Sequence, residues 1–448
     1  MASRNKRTAE TPFDYVLESA IVSSSKFIEG ATIELKNIIT DIEIYEHLDK
    51  PYLTGNVIIV DDSNVYTSID FSGSEKLSLK FKLPDDDFNS IEKDFIVEKT
   101  IKNARGNDKT SAILFHIIEE HGFNSTLINV NKAYNGKPTE IIKNIIVDNL
   151  NKEFSDPIIA DAQEPMKVII PNLTPIEAAK WVRNRASTID GVPYYLFSTF
   201  ANSKLHIIGL DQMLSTAPDS KPYIYSQMAT AFASSSNVNE QAYIIQNFKS
   251  KSNDEIISLV KNGFMGSQNY FYDPLIGSFT ENRGTFFDIN DILNNLKTRD
   301  IIRSNQNSFN YSNNYELNGI RINRLKSRVN TNLVTTNTYS ELNNYNQAQN
   351  LGKHKLKIIS EALREIIVRN SIEIIVPGRN FLNSNYSNTI GNQIKMQFLG
   401  TDVNNEDNID HKKSGDYLIY AVKHQFKAER YDVIASCVKL ADLDQELE

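Results

Sequence analysis

The 448-residue chain is 40% hydrophobic and 23% charged, a composition that lets a globular protein bury a core, and its length suits about three domains. With 48 Lys and Arg against 56 Asp and Glu, the formal charge of −8 argues against tight duplex binding, which draws on a basic excess. The only cysteine, Cys437, leaves no partner for an internal disulfide and excludes a cysteine-based zinc site, and no apolar run nears the roughly 20 residues of a membrane-crossing helix.

Residues 1–10 begin with a basic, small-residue stretch that lacks the apolar segment of a secretory signal, so they read as a flexible end. From there to residue 125 the pattern is that of strands. Leu77, Leu79, Phe81 and Leu83 alternate with polar residues, as do Ile33 and Leu35, which is the period of a half-buried strand. Gly55 precedes the apolar run 57–60, and Asp61-Asp62-Ser63-Asn64 closes it with turn residues. Arg105-Gly106-Asn107-Asp108 separates two further runs as a hairpin loop would. Residues 1–125 thus predict a first antiparallel β domain.

The period then changes. Pro138 opens a helix with Ile141, Ile142, Ile145, Ile146 and Leu150 on one face. Thr174-Pro175-Ile176-Glu177 has the form of a capping box with proline in the first turn, and predicts a helix that Asp190-Gly191 ends. Residues 194–197 and 205–208 read as a strand pair. The span 126–232 is therefore an α+β insertion, and Ala229 to Asn237 is a polar linker.

A second antiparallel β domain covers 233–442, with a long loop insertion at 265–350 and a short tail at 443–448. Fourteen of the 48 residues from 303 to 350 are Asn, with little apolar periodicity, so that stretch reads as loop. Leu356, Ile359, Leu363 and Ile366 recur at helical spacing. Strands at 372–376 and around 394–396 follow, and a closing hairpin places Leu418, Tyr420, Val422, His424 and Phe426 on one face. The fold class is α+β, mainly β, and the two β regions have the form of loose internal copies.

No catalytic motif emerges. Gly136-Lys137 lacks the first glycine and the hydroxyl residue of a phosphate loop, and a turn before a helix-opening proline accounts for it. The seven histidines show no ligand spacing; His116 and His121 fall on opposite faces of one apparent strand, and His206 and His424 suit hydrogen-bonded core positions. Glu119-Glu120, Asp85-Asp86-Asp87 and Glu406-Asp407 read as solvated strand ends. Tyr270, Phe271 and Tyr272 form the densest aromatic group outside the predicted strands, and packing accounts for them better than sugar binding. One basic cluster, Arg321, Arg324, Lys326 and Arg328, alternates with Ile320, Ile322 and Leu325, and is the candidate contact for a partner. A charged strand edge that discourages aggregation explains the same residues. No catalytic, cofactor or metal residue is assigned.

Several phrases, in order, resemble the baseplate hub proteins of contractile-tailed phages. They are Pro51-Tyr52-Leu53-Thr54-Gly55 with Asp61, Asn64 and Gly73-Ser74-Glu75-Lys76-Leu77; Ala133-Tyr134-Asn135-Gly136-Lys137, Asn172-Leu173-Thr174-Pro175-Ile176-Glu177-Ala178 and Asp190-Gly191-Val192-Pro193-Tyr194-Tyr195; and Gly263-Phe264-Met265-Gly266-Ser267, Val376-Pro377-Gly378 and Ser414-Gly415-Asp416-Tyr417-Leu418-Ile419, with His424 and Phe426. The resemblance runs from roughly residue 30 to 440, its order and spacing being more specific than any single phrase. The Asn-rich stretch and the lack of lysozyme or spike sequence depart from it, so spike and any peptidoglycan cleavage are expected on another chain.

The resemblance implies two tube-type β-barrel domains flanking the insertion, and a homotrimer that joins a central spike to a sixfold tail tube. It also implies contact with tube-initiator or tape measure proteins, transient passage of phage DNA without specific binding, and a place in the virion baseplate after assembly in the host cytoplasm. No cofactor and no membrane insertion are expected. The alternatives are a tail-tip peptidoglycan hydrolase, which needs a paired acid and base, and a host-carbohydrate-binding module, which needs exposed aromatics.

Overall fold

Alternating apolar residues fold the first part of the chain into β1 (Val16–Ser23), β2 (Thr32–Glu34), β3 (Ile39–His47), β4 (Thr54–Asp61), β5 (Lys76–Lys82), β6 (Ser90–Lys102) and β7 (Ser111–Glu119). The computed structural model describes residues 9–27, 31–61, 71, 73–86, 89–102, 111–155, 165–188, 190–218, 221–226, 237–252, 256–273, 277–279, 285–288, 316–326, 328–333, 354–382, 388–400, 409–428 and 430–442. The turn residues 62–64, the loop 105–108 and most of the 229–237 linker lie outside them. These strands pair antiparallel in the order β2-β1-β5-β6-β7-β4-β3. Leu77, Leu79 and Phe81 face the core, as the period of two requires. Helix α1 (Glu120–Thr126) follows β7 directly, so His121 stands on a helix and not on the strand that carries His116.

The middle segment comprises β8 (Ala133–Gly136), α2 (Pro138–Leu150), β9 (Met166–Ile169), α3 (Pro175–Arg183), β10 (Tyr194–Ser198), β11 (Leu205–Gly209) and α4 (Leu210–Ser215). It has a core of its own, in which Ile141, Ile142, Ile145 and Ile146 of α2 meet Ala178, Ala179 and Val182 of α3. The capping box forms: Thr174 Oγ1 accepts from the Glu177 amide at 3.3 Å, and Glu177 Oε2 accepts from the Thr174 amide at 3.3 Å. Helix α3 ends at Arg183, before the Asp190-Gly191 stop read from the sequence. There Asn184 Oδ1 turns back to accept from Arg183 Nη2 at 2.9 Å.

The remainder holds β12 (Tyr223–Tyr225), α5 (Val238–Gln241), β13 (Asn247–Ser252), α6 (Ile256–Asn262), β14 (Gly266–Asp273), β15 (Ser278–Phe279), β16 (Thr285–Asp288), β17 (Glu316–Leu317), β18 (Ile320–Arg321), β19 (Arg328–Leu333), α7 (His354–Ile367), β20 (Asn370–Pro377), β21 (Gln393–Phe398), β22 (Gly415–Lys427) and β23 (Arg430–Asp442). The 265–350 loop reading needs correction. Within that span β14, β15, β16 and β19 form a four-stranded sheet, with β15 and β16 along one edge of β14 and β19 parallel on the other. A side-chain amide bond joins two of its strands, Asn330 Nδ2 donating to Asn269 Oδ1 at 3.3 Å across the registered pair. The sequences of β14 (GSQNYFYD) and β19 (RVNTNL) lack the period of two that marks a strand in sequence.

Both β regions join one 13-stranded sheet, whose order continues from β3 into β22, β23, β20 and β13, with β21 and β12 branching from β22. Strand β22 belongs to two neighbours on one edge. Its Gly415–Leu418 part pairs with β21, its Ala421–Phe426 part pairs with β3, and a bulge between Ile419 and Ala421 marks the change. That bulge takes Tyr420 off the buried face shared by Leu418, Val422, His424 and Phe426. Helix α7 lays Ile359, Leu363 and Ile366 into the core beneath. The chain is α+β and mainly β, as read from the sequence.

Candidate assembly surface

Polar side chains are buried where the insertion meets the sheet. Glu119 at the end of β7 accepts from the Leu53 amide at 3.0 Å, from Ser198 Oγ at 2.8 Å and from Lys152 Nζ at 2.9 Å. Burial alone would raise this carboxyl; His121, Lys93 and Lys152 reverse the effect and bring it down to about 2. Burial also lowers His121, and its Nε2 lies 2.6 Å from the Pro51 carbonyl. The neutral ring therefore carries its proton on Nε2; at neutral pH the ammonium groups of Lys93 and Lys152 hold the Glu119 charge, and His121 adds to their hold only when acid protonates it. Lys93, lowered by burial to about 8, donates to the carbonyls of Thr199, at 2.7 Å, and Asn202. Glu46 on β3 accepts from the Phe200 amide and pairs with His424 Nε2 at 3.1 Å, while His424 Nδ1 meets the Tyr431 hydroxyl at 2.7 Å. Each group ties one segment to another.

Further ties cross the molecule. Arg379 donates to both carboxylate oxygens of Asp85, at 2.9 and 2.5 Å, and to Asn239 Oδ1 at 2.8 Å. Arg364 of α7 donates to the Tyr194 carbonyl at 2.9 Å, and Arg183 of α3 pairs with Asp49. A cavity of about 860 Å³ opens between α3, α7 and β19, lined among others by Asp49, Arg183, Arg364, Ser360 and Asn330. Its lining holds no histidine or cysteine. Burial pushes the Cys437 thiol far up, which keeps it protonated and unreactive. Among the described residues no group of three or more His, Cys, Asp or Glu is placed to hold a metal.

The basic cluster sits on the surface around the four-stranded sheet. Arg321 lies across the β17–β18 hairpin from Glu316, Nε to Oε1 at 3.9 Å, with both side chains more than half exposed. Such a pair contributes little. Arg324 reaches the buried Asp288 carboxylate at 3.4 Å, and Arg328 Nη1 donates to the Lys261 carbonyl at 3.1 Å. Lys326 is exposed beside them. The four residues do not share one strand: Arg321 ends β18, Arg324 closes a turn of 3-10 helix at Ile322–Arg324, and Arg328 opens β19. Sequence reasoning found the charges and Ile320 among them, and missed the exposed apolar pair that Ile320 forms. Leu317 and Ile320 face each other across the hairpin, 49% and 48% exposed, and Val329 on β19 is 61% exposed. Tyr270, Phe271 and Tyr272 lie on β14; Phe271 is buried, and Tyr270 and Tyr272 pack edge-on against Phe279.

No protein-family model matches the chain, and no curated protein sequence does. Solved structures do. A tail protein from Neisseria meningitidis MC58 superposes with a TM-score of 0.53 at 11% identity, over 95% of this chain and 97% of its own. The 43 kDa tail protein of prophage MuSo2 from Shewanella oneidensis gives 0.52 at 12% identity, over 94% and 98%. The chain has the fold of these tail proteins. At this identity the likeness lies in architecture, and it runs over nearly the whole of both tail proteins.

Proposed function

We propose that the chain is a structural hub subunit of a contractile phage tail baseplate. In this reading three copies form a ring that joins the central spike to the sixfold tail tube and surrounds part of the path by which the genome leaves. The observation that carries it is the end-to-end likeness of fold to two tail proteins, one of them from a prophage. Residues 1–125 and 233–442 then act as two tube-type β units flanking the 126–232 insertion, and three such pairs give a pseudo-sixfold ring. The pairing of β3 with β22 supports that arrangement, because it bonds the two β regions edge to edge at a fixed angle. The ties of Glu119, Lys93, Glu46 and Arg379 support a rigid frame and not a moving catalytic cleft. The spike, tube-initiator proteins and tape measure protein are the partners in this reading, and the tail baseplate of the virion is its location. The role is non-enzymatic.

Light scattering tests this directly. The purified chain, alone or with its spike, is expected at about three times its 50.8 kDa mass. A trimer interface well above the roughly 1,600 Å² of a standard contact is expected, since obligate assemblies run larger. A 50.8 kDa particle under both conditions overturns the proposal, as does clearing of peptidoglycan by pure protein that one carboxylate-to-amide change abolishes.

A further inference from the structure

We propose that the β17–β18 hairpin and the adjoining edge of β19 form the surface by which one copy of the chain grips the next. The inference rests on the ring reading above and names the face that closes the ring. Every residue from Glu316 to Arg321 is exposed. Asn318 and Gly319 at the tip have φ of 54° and 75°, the left-handed pair of a type I′ turn, so the tip has a defined shape. Its base is pinned, because Asn323 is buried and donates to Asp288 at 3.3 Å, and Ile322 packs on the main core. The hairpin is therefore a firm projection with an apolar pair, Leu317 and Ile320, that none of the described residues covers. A two-stranded hairpin of this size gains little stability by itself in water, so an exposed apolar pair on it is explained by a partner.

Charge identifies the partner. The described residues between 256 and 333 hold five Lys and Arg against three Asp and Glu, a local +2, which leaves −10 on the rest of a chain whose total is −8. A closed ring joins two different surfaces of the same subunit head to tail. A basic, apolar lobe meeting an acidic remainder satisfies that requirement, whereas lobe against lobe would repel. The occupant is thus a second copy of this chain. Phosphate would engage the arginines but leave Leu317 and Ile320 without a role.

Two variants on this solvent-exposed element test the idea: Leu317→Ser with Arg321→Glu, and Ile320→Ser with Lys326→Glu. Each is expected to weaken assembly at least tenfold in light scattering while circular dichroism stays that of the folded chain. Cys437 is buried and is the sole cysteine, so Asn318→Cys supplies one reactive thiol. Its maleimide labelling is expected to slow at least tenfold in the assembled ring compared with the dissociated chain. Normal assembly of both double variants overturns this face and leaves the ring reading standing. A wild-type chain that never assembles, with or without spike, overturns both. Unchanged assembly with lost binding to a duplex DNA probe overturns the inference in favour of a phosphate-binding face.

Discussion

Glu119 sits where three segments converge, and its ionisation is a stability term. Its carboxyl is lowered from the ordinary 4.5 to about 2 in the folded chain. A carboxyl depressed on folding stabilises at pH above its unfolded value, and the contribution is lost as pH falls from 4.5 toward 2. Glu119→Gln is expected to cost about 3 kcal/mol at neutral pH. That difference should narrow by about 1 kcal/mol at pH 3.5. Urea midpoints of both proteins at the two pH values measure it; an equal gap at both would show that the charge is not what stabilises. None of this network was legible in the sequence, where Glu119-Glu120 reads as a solvated strand end. The two carboxylates part company because β7 hands over to α1 between them, leaving Glu119 buried and Glu120 in an exposed ion pair with Lys76 at 3.0 Å. His424, in contrast, was legible as a hydrogen-bonded core histidine because it lies within an alternating apolar strand.

At the scale of elements, periodicity carried the reading where one face meets a core. The strand β5 and the helices α2, α3 and α7 follow their apolar spacing, and β22 follows it from Val422 onward, past its bulge. It failed for the four-stranded sheet, whose β14 and β19 have no apolar alternation, and it could not reveal that β22 serves two neighbours. Val376-Pro377-Gly378 reads as a turn in sequence. Here the glycine has a second reason, since a Cβ at 378 would stand 2.1 Å from the buried Tyr431 ring. Gly378→Ala is therefore expected to destabilise by about 3 kcal/mol, through overpacking and not through backbone strain. The cost should largely disappear in a Tyr431→Ala background, so a double-mutant cycle by urea unfolding distinguishes the causes. Additive costs would sink the packing explanation.

For the whole molecule, the sequence conveyed two β regions and an insertion but not their junction, because hydrogen bonds between β3 and β22 leave no local pattern. That junction has a consequence in time. Glu46 of β3 and His424 of β22 stand 378 residues apart, so a ribosome adding about 5–20 residues per second needs about 20 to 75 s to make the second after the first. For that interval the nascent chain carries an open β3 edge and a carboxylate whose imidazole partner has not yet been made. A chain stopped at residue 414 is frozen in that condition, without β22 and β23. It is expected to pellet on expression unless a chaperone is co-produced, and fractionation of lysates with and without added chaperone reads the outcome. A soluble, native-like 1–414 fragment would show that the first β region seals its own edge. If it does not, β22 and β23 are the strands that end the protein's dependence on a chaperone.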